Sequence, residues 1–403
     1  MRFILLTVLI DMVSIGLIIP VLPELVGHFT ADRSEQAFWY GAIMLSFGVA
    51  NFFFAPILGG LSDRFGRRPV LLIGFCGFAF SFFATALATQ LWMLIAIRIV
   101  SGALQANASV ANAYVADITA PEDRAKRFGQ LGAMFGLGFI LGPVMGGLLG
   151  AIDIRLPFFA AGGLALLNLA YGYFVLPESL PPSQRRPMSW QSANPIRSLK
   201  QLTQLKGVGP LVLVIALGAL TDAVLRTTWV LYTGLRYGWG PLENGWSLFA
   251  VGAVSVLVQG VLLKRMLARF GAKRLAVLGL ISSTMTFTLW ALATQGWMMY
   301  AVIGLNIFGF TVTASIQSLV SNAADAKAQG QTMGSVSSLN SLMAVLAPVI
   351  GAPLLGVVSH LPRDDWRIGA PFFLCAVLMA CSTAVALWHF SRRRIELAPL
   401  PHA

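Results

Sequence analysis

The sequence predicts an all-α membrane protein with twelve transmembrane helices arranged as two related halves of six. Three observations predict it: the scarcity of charge, the length of the apolar runs and an internal repeat. Of the 403 residues, 57% are apolar and only 11% are charged, against about 25% charged in a typical soluble domain. Such a chain cannot cover a water-facing surface. Its apolar runs recur near twenty residues, the length that crosses roughly 30 Å of hydrocarbon. We read spans at about 3–27, 38–60, 70–89, 91–114, 128–150 and 156–176, then 209–233, 245–267, 275–294, 297–320, 333–358 and 369–390.

The repeat has a fixed offset of 205 residues. Arg64-Phe65-Gly66 returns as Arg269-Phe270-Gly271. Ala88-Thr89-Gln90-Leu91-Trp92-Met93 returns as Ala293-Thr294-Gln295-Gly296-Trp297-Met298, and Pro143-Val144 as Pro348-Val349. Two parallel six-helix halves related by an axis along the membrane normal are an architecture of secondary transporters, with the substrate held between the halves near the midplane. The halves are expected at 1–176 and 209–403. A Pro-rich, basic linker joins them at 177–208 and is read as containing a short interfacial helix around 190–205.

Charge sets the expected orientation. Arg64, Arg67, Arg68, the run from Lys264 to Arg274, and Arg392, Arg393 and Arg394 all fall on the side of the N-terminus, together with most other basic residues. The opposite side has only Arg33, Arg155, Arg236, Arg363 and Arg367. The positive-inside rule then places both termini in the cytoplasm. The net charge of +12 is accounted for by orientation and anionic lipid, and needs no nucleic acid. The first run contains Asp11, has no basic region beyond Arg2 and shows no small-residue cleavage site, so it reads as a span and not a cleaved leader. Cys76, Cys375 and Cys381 all lie in apolar runs, which argues against a disulfide framework or a zinc site. There is no phosphate-binding G-x-x-x-x-G-K-[ST] loop. No Cys/His metal spacing occurs, and the four histidines lie at span ends, in loops or in the tail, so the chain does not read as an enzyme.

Several motifs carry more specific information. Between the second and third spans stands Gly59-Gly60-Leu61-Ser62-Asp63-Arg64-Phe65-Gly66-Arg67-Arg68. The fourth span carries Arg98 and Gly102, and ends in Val115-Ala116-Asp117. The fifth carries Gly138, Gly142, Pro143, Gly146 and Gly147 in a G-x-x-x-G-P-x-x-G-G arrangement. Small residues at this spacing let helix backbones approach closely, and a proline opens the helical hydrogen-bond ladder. An arginine within a span costs roughly 2.5–3.5 kcal/mol on insertion scales and must find a partner, a wet cavity or the interface.

On these residues the chain resembles the major facilitator superfamily. The loop after the second span is similar to that family's G-x-L-A-D-R-x-G-R-K signature, with Ser62 for Ala and Arg68 for Lys. The resemblance implies a conformational gate at Gly59, Asp63, Arg64, Gly66, Arg67, Arg68 and Asp117. The second-half copy has Ala268 where Asp63 stands, so one lock only is complete. The fifth-span motif resembles the signature of proton-coupled antiporters in this family. Asp11-x-x-x-Ile15-Gly16-Leu17-x-x-Pro20-Val21-Leu22-Pro23, together with Val115-Ala116-Asp117, is similar to the tetracycline-efflux branch. That branch carries an intramembrane His and Asp in its eighth and ninth spans. Here Ser255 and Ser283 stand at the matching registers, which puts tetracycline itself in doubt.

Within the spans the acids that stand out are Asp11 and Asp222, the latter one helical turn from Arg226. Intramembrane ionisable groups are functional candidates by default. We take Asp11, Asp222, Arg226 and Arg98 as candidates for proton coupling. Static pairing of Asp222 with Arg226, hydration of Asp11 at a cytoplasmic mouth, and snorkelling of Arg98 are the competing readings. The resemblance implies a cavity lined by the first, fourth, seventh and tenth spans. Polar or aromatic candidates for it are Gln105, Asn107, Asn112, Tyr114, Trp229, Tyr232, Asn306 and Gln317, with Asn340 on the eleventh span; interhelical hydrogen bonding is the plainer role for each. The resulting expectation is a monomeric inner-membrane protein exporting a small amphipathic drug against protons. It would need no cofactor beyond the coupling proton, with magnesium arriving on the substrate if that is tetracycline-like. Carriage of a metabolite or lipid-like amphiphile, or a non-transporting sensor or scaffold, remain as alternatives.

Overall fold

The structure is a computed structural model that describes residues 2–105, 107–120, 123–185, 209–323 and 329–396. The interfacial helix expected around 190–205 lies outside the described residues. Among those described there are no strands.

The first span is α1 (Arg2–Ile18) followed by α2 (Leu22–Gly27), with the break at Pro20. Then come α3 (Arg33–Phe65), α4 (Arg67–Leu87), α5 (Leu91–Leu104), α6 (Asn107–Asp117), α7 (Arg124–Gly150) and α8 (Leu156–Phe174). The second set is α9 (Gly209–Tyr237), α10 (Pro241–Leu257), α11 (Leu263–Leu292), α12 (Gly296–Leu305), α13 (Val312–Ala323), α14 (Gln329–Val358) and α15 (Ala370–Glu396). Caps follow the sequence. Asp32 accepts from the Glu35 amide at 2.8 Å and opens α3. Prolines 157 and 241 sit in the first turns of α8 and α10, where a missing N–H costs nothing.

Among the described residues, ten apolar stretches are long enough to cross a membrane, and a bent helix pair qualifies as a further span. One of the ten, Pro241–Leu292, is 52 residues long. A straight helix of that length, at about 1.5 Å per residue, far exceeds a bilayer, and Gly271 (φ 72°) breaks it. Dividing it there, and taking Gly296–Leu305 with Gly309–Gln317 as one span bent by 53°, recovers twelve crossings.

The repeat is visible in the side chains. Gly66 (φ 109°) and Gly271 (φ 72°) both occupy the region open to glycine. Arg64 lies over the Phe65 ring and Arg269 over the Phe270 ring. The Trp92 indole donates to Gln90, and Trp297 likewise to Gln295.

α1 packs along α7 and α8, α4 along α8, and α3 along α5 to form one bundle. α9, α11, α14 and α15 pack together in the other. The bundles meet along two seams, α7 with α10 and α3 with α14. At the end bearing the Arg33 loop the seams are tight. Arg33 donates to the Gly234 carbonyl at 3.1 Å, and a Cβ on Gly147 would stand 2.6 Å from the Pro241 carbonyl. Towards the end bearing the Gly59–Arg68 loop they part. Gly136 has Val256 no nearer than 3.8 Å, and Gly129, Gly132 and Gly260 face open space. Among the described residues the seams are therefore in closer contact at the Arg33 end, around a cavity of about 340 Å³ lined by Glu24, Arg33, Gln36, Gly234 and Arg363, than at the other.

Candidate functional site

Three polar sites lie on this frame. The first surrounds Asp11, which is 3% exposed and therefore not a hydrated carboxylate at a mouth. Asn107, at the start of α6, donates to one of its oxygens at 2.8 Å. Asn168, on α8, donates more weakly to the other at 3.4 Å and also to the Thr7 carbonyl at 2.9 Å. Among the described residues no charged group neighbours Asp11. A void of about 10 Å³ beside it, walled by Leu71, Phe75, Ala111 and Phe135 among others, has room for about one water. Asn168 was not anticipated from sequence, although an amide inside an otherwise apolar span is a detectable signal.

The second site faces the space between the bundles. Arg226 and Asp222 pair at 2.7 Å, with side chains 62% and 57% exposed. The Arg226 guanidinium reaches 5.6 Å from the centroid of Phe139 on α7 of the opposite bundle. The pair is therefore solvated on one side and in touch with both halves.

The third is the loop between α3 and α4. Arg67 pairs with Asp63 at 2.5 Å and with Asp117 at 3.0 Å, and donates to Ser62 at 2.6 Å. Glu178 completes it, accepting from the backbone amides of Arg67 (2.9 Å) and Arg68 (3.3 Å) at the N-terminus of α4. A carboxylate is favoured there by the helix dipole. The Glu178 carboxylate occupies the space a Gly66 side chain would need. No sequence spacing could have paired Glu178 with a loop more than a hundred residues away. Arg68 bonds the Tyr173 carbonyl and lies over the Tyr173 ring. Arg64 stays outside the cluster, exposed on Phe65, and Gly59 faces open space.

The glycines of α7 divide by face. Gly138, Gly142 and Gly146 lie against Met12, Gly16 and Leu17 of α1, while Gly147 lies against α10. Pro143 faces both ways, with its ring towards Gly16 and its carbonyl towards Gly245. α7 is thus pressed between α1 and the other bundle with backbone nearly touching backbone.

The remaining candidates scatter. Arg98 is buried, 7% exposed, without a hydrogen bond among the described residues, and its titratable neighbour is Tyr40. Trp229 and Tyr232 do not face the space between bundles. They are buried in an aromatic cluster with Trp290 and Phe372, bonded to Ser247 and to the Trp290 carbonyl. Large rings bury more apolar area in a core than on a wall. Tyr114 is buried too, its hydroxyl on the Pro177 carbonyl at 2.8 Å. Asn112 is exposed with its amide folded back on the Ala108 carbonyl. Gln317 and Asn340 are exposed. Ser283 is buried, and Ser255 accepts from Gln259 at 2.8 Å.

Gln105 and Asn306 share a role the sequence did not disclose. Each sits where its span is interrupted, between α5 and α6 and between α12 and the following turn. Asn51 donates to the Gln105 carbonyl at 2.6 Å, and Asn306 accepts from Ser282 at 3.2 Å. Interrupted helices in corresponding positions of two repeats are a mark of transporter binding regions.

Two bundles of membrane-length helices with an ion pair facing the space between them have the build of a multi-pass membrane transporter. Comparison with known proteins gives the same class. The family model of the Major Facilitator Superfamily matches residues 4–348 and 211–402. The chain is 37% identical to the class C tetracycline resistance protein of Escherichia coli, over 91% of its own length and 93% of that protein. It is 35% identical to the class D tetracycline resistance protein of Salmonella ordonez, over 91% and 92%. Among solved structures, a human organic anion transporter aligns with a TM-score of 0.71 at 23% identity, covering 96% and 98% of the two chains. A nucleoside transporter aligns with a TM-score of 0.78 at 14% identity over 96% and 98%. The chain belongs to the major facilitator superfamily.

Proposed function

We propose that this transporter exports a small amphipathic drug, tetracycline-like or broader in range, in exchange for protons, from the inner membrane of a bacterium. The observation that carries this reading is the carboxyl of Asp11, sealed among amides with no cation to neutralise it. A group so placed responds strongly to any change in its surroundings, as a proton carrier must. Relatives named for tetracycline resistance over nine-tenths of the chain support the substrate class. Ser255 and Ser283, at registers where the resemblance implies His and Asp, favour a coupling site in the first bundle and on α9 instead.

In this reading both termini and the Gly59–Arg68 loop face the cytoplasm, and the chain acts as a monomer. The end where the seams part is then the cytoplasmic entry. Substrate would enter between α7 and α9, near Asp222, Arg226 and Phe139. Protonation of a carboxylate exposed on the outer side, followed by release inside, would drive the bundles through their cycle, with the Asp63–Arg67–Asp117 cluster re-forming in one state and parting in the other. One charge moving down about 100 mV releases roughly 2.3 kcal/mol, enough at about 1.4 kcal/mol per decade for a gradient of several tens-fold.

The experiment is proton flux in proteoliposomes holding an internal pH dye. Tetracycline with magnesium, then amphipathic cations and neutral drugs, would be added to wild type, Asp11→Asn and Asp222→Asn. Discharge of the gradient by one compound in wild type, and its loss in an Asn variant, is the expected outcome. Direct binding of compounds with no proton movement by any of them would refute antiport.

A further inference from the structure

Asn168 has an unusual inventory of bonds. It is fully buried. Its amide nitrogen makes two bonds, to the Thr7 carbonyl and, at a long 3.4 Å, to Asp11. Its amide oxygen has no partner among the described residues. A buried carbonyl without a donor forfeits roughly the desolvation cost of the group, and native structures rarely leave one so. The surroundings of the Asp11 carboxyl are poor in donors too. Leu71 and Phe75 of α4, Ala108 and Ala111 of α6 and Phe135 of α7, which line the void beside it, carry no polar side chain. The Thr7 hydroxyl is committed to the Ile4 carbonyl at 2.8 Å. The Asn107 amide nitrogen is committed to the other oxygen of Asp11. Among the described residues no charged or titratable group from α4, α6, α7 or α8 faces the carboxyl.

The described arrangement satisfies one protonation state only. Ionised, Asp11 accepts from both amides. Protonated, it becomes a donor, and a buried O–H with no acceptor is as unfavourable as the orphaned carbonyl. Rotation of the Asn168 side-chain amide by half a turn exchanges its nitrogen and oxygen. The oxygen then faces Asp11 and accepts the carboxyl proton, while Asn107 holds the second carboxyl oxygen as before. The nitrogen turns away from Asp11 and from the Thr7 carbonyl, so the rotation also releases the bond from α8 to α1. Each protonation state thus has its own amide orientation.

We infer that Asn168 is a positioning residue for the proton site, an amide whose two orientations match the ionised and the protonated states of Asp11. The inference rests on Asp11 being the carboxyl that takes up and releases the proton. It extends that reading by naming the group that lets one buried site serve both states without a charged partner. Because Asn168 also grips the Thr7 carbonyl, its orientation ties the protonation of Asp11 to the contact between α1 and α8.

The test is infrared difference spectroscopy of purified protein stepped through pH, which reads the carbonyl stretch of a protonated carboxyl directly and needs no substrate. The band belonging to Asp11 is the one that disappears in Asp11→Asn. In wild type it should sit at the lower wavenumber of a carboxyl that donates a hydrogen bond. In Asn168→Leu, which removes the acceptor at similar volume, it should move to higher wavenumber. Asn168→Ser keeps a small polar group should the leucine variant not fold, and its hydroxyl is too short to replace the amide, so the same upward shift is expected. An unmoved band in a folded variant overturns the role of Asn168 while leaving Asp11 in place. A wild-type difference spectrum with no band lost in Asp11→Asn instead removes Asp11 from the coupling scheme, and the inference with it. A merely structural Asn168 would lower the unfolding temperature and leave the band where it was.

Discussion

Gly142→Ala tests the contact on which the α1–α7 seam depends. An alanine Cβ at this position would stand 2.5 Å from Gly16 Cα, 2.8 Å from the Val13 carbonyl oxygen and 2.9 Å from the Gly16 carbonyl carbon. All three are backbone atoms, so no side chain can turn aside. Ordinary carbon–carbon contact lies at about 3.5–4.0 Å, and the helices would have to separate by about 1 Å. Overpacking of this kind costs about 1–3 kcal/mol. Alanine also raises helix propensity by about 1 kcal/mol over glycine, which would mask part of the cost. Gly132→Ala on the same helix supplies the control, because nothing lies within 4 Å of its Cβ position and only the propensity term acts. The difference between the variants should therefore be about 1–3 kcal/mol, on the order of 5 °C in unfolding temperature. Thermal unfolding in detergent followed by tryptophan fluorescence measures it, and transport in vesicles should fall in Gly142→Ala and persist in Gly132→Ala. Equal unfolding temperatures and equal transport in the two variants would show that α1 and α7 do not touch backbone to backbone.

Other perturbations have different signatures. Arg67→Gln strands Asp117 in a half-closed site and should cost about 2 kcal/mol, less than the 3–5 of a fully buried pair because Asp63 is half exposed; the fall in unfolding temperature should be largely matched by Asp117→Asn and not added to it in the double variant. Arg226→Gln breaks an exposed pair and should change stability by no more than about 0.5 kcal/mol, yet abolish substrate-driven proton flux; a variant with full flux would reduce the pair to a surface feature. Glu178→Gln retains the shape of the cap at α4 but removes its charge, which should cost about 0.3–1 kcal/mol and lessen as salt is raised. At the opposite end, hydrogen bonds from Arg367 hold the half-buried Asp365 carboxyl at about 2, below its usual 3.8. Its folded value is depressed, so its contribution is present above about pH 4 and is lost only as pH falls towards 2. Asp365→Asn should therefore leave any change in stability between pH 5 and 8 unaltered, as thermal unfolding across that range would show.

The class of this protein was legible from one-dimensional quantities. Apolar run length against bilayer thickness set the spans, because lipid offers no partner for an exposed backbone group and a crossing must be long enough to satisfy its own. The repeat at a fixed offset announced two bundles, and both glycines at its centre adopt the same backbone region. The loop signature and Asp117 were legible as a group, and Arg67 does join Asp63 to Asp117. Asp222 with Arg226 was legible because one helical turn is a local distance. What failed depended on which way a side chain faces. Trp229 and Tyr232 share α9 with Asp222 and Arg226, but a few tens of degrees around the helix turn them into the aromatic core of their own bundle. Asn168, Glu178 and Asn51 act across long stretches of sequence, on Asp11, on the first turn of α4 and on the interruption after α5. Local pattern fixes how far a helix runs and how apolar it is. Which polar atom of one helix meets which atom of another is settled only when the bundles pack, since that depends on the rotation and separation of whole helices, and these the glycine contacts between α1, α7 and α10 decide.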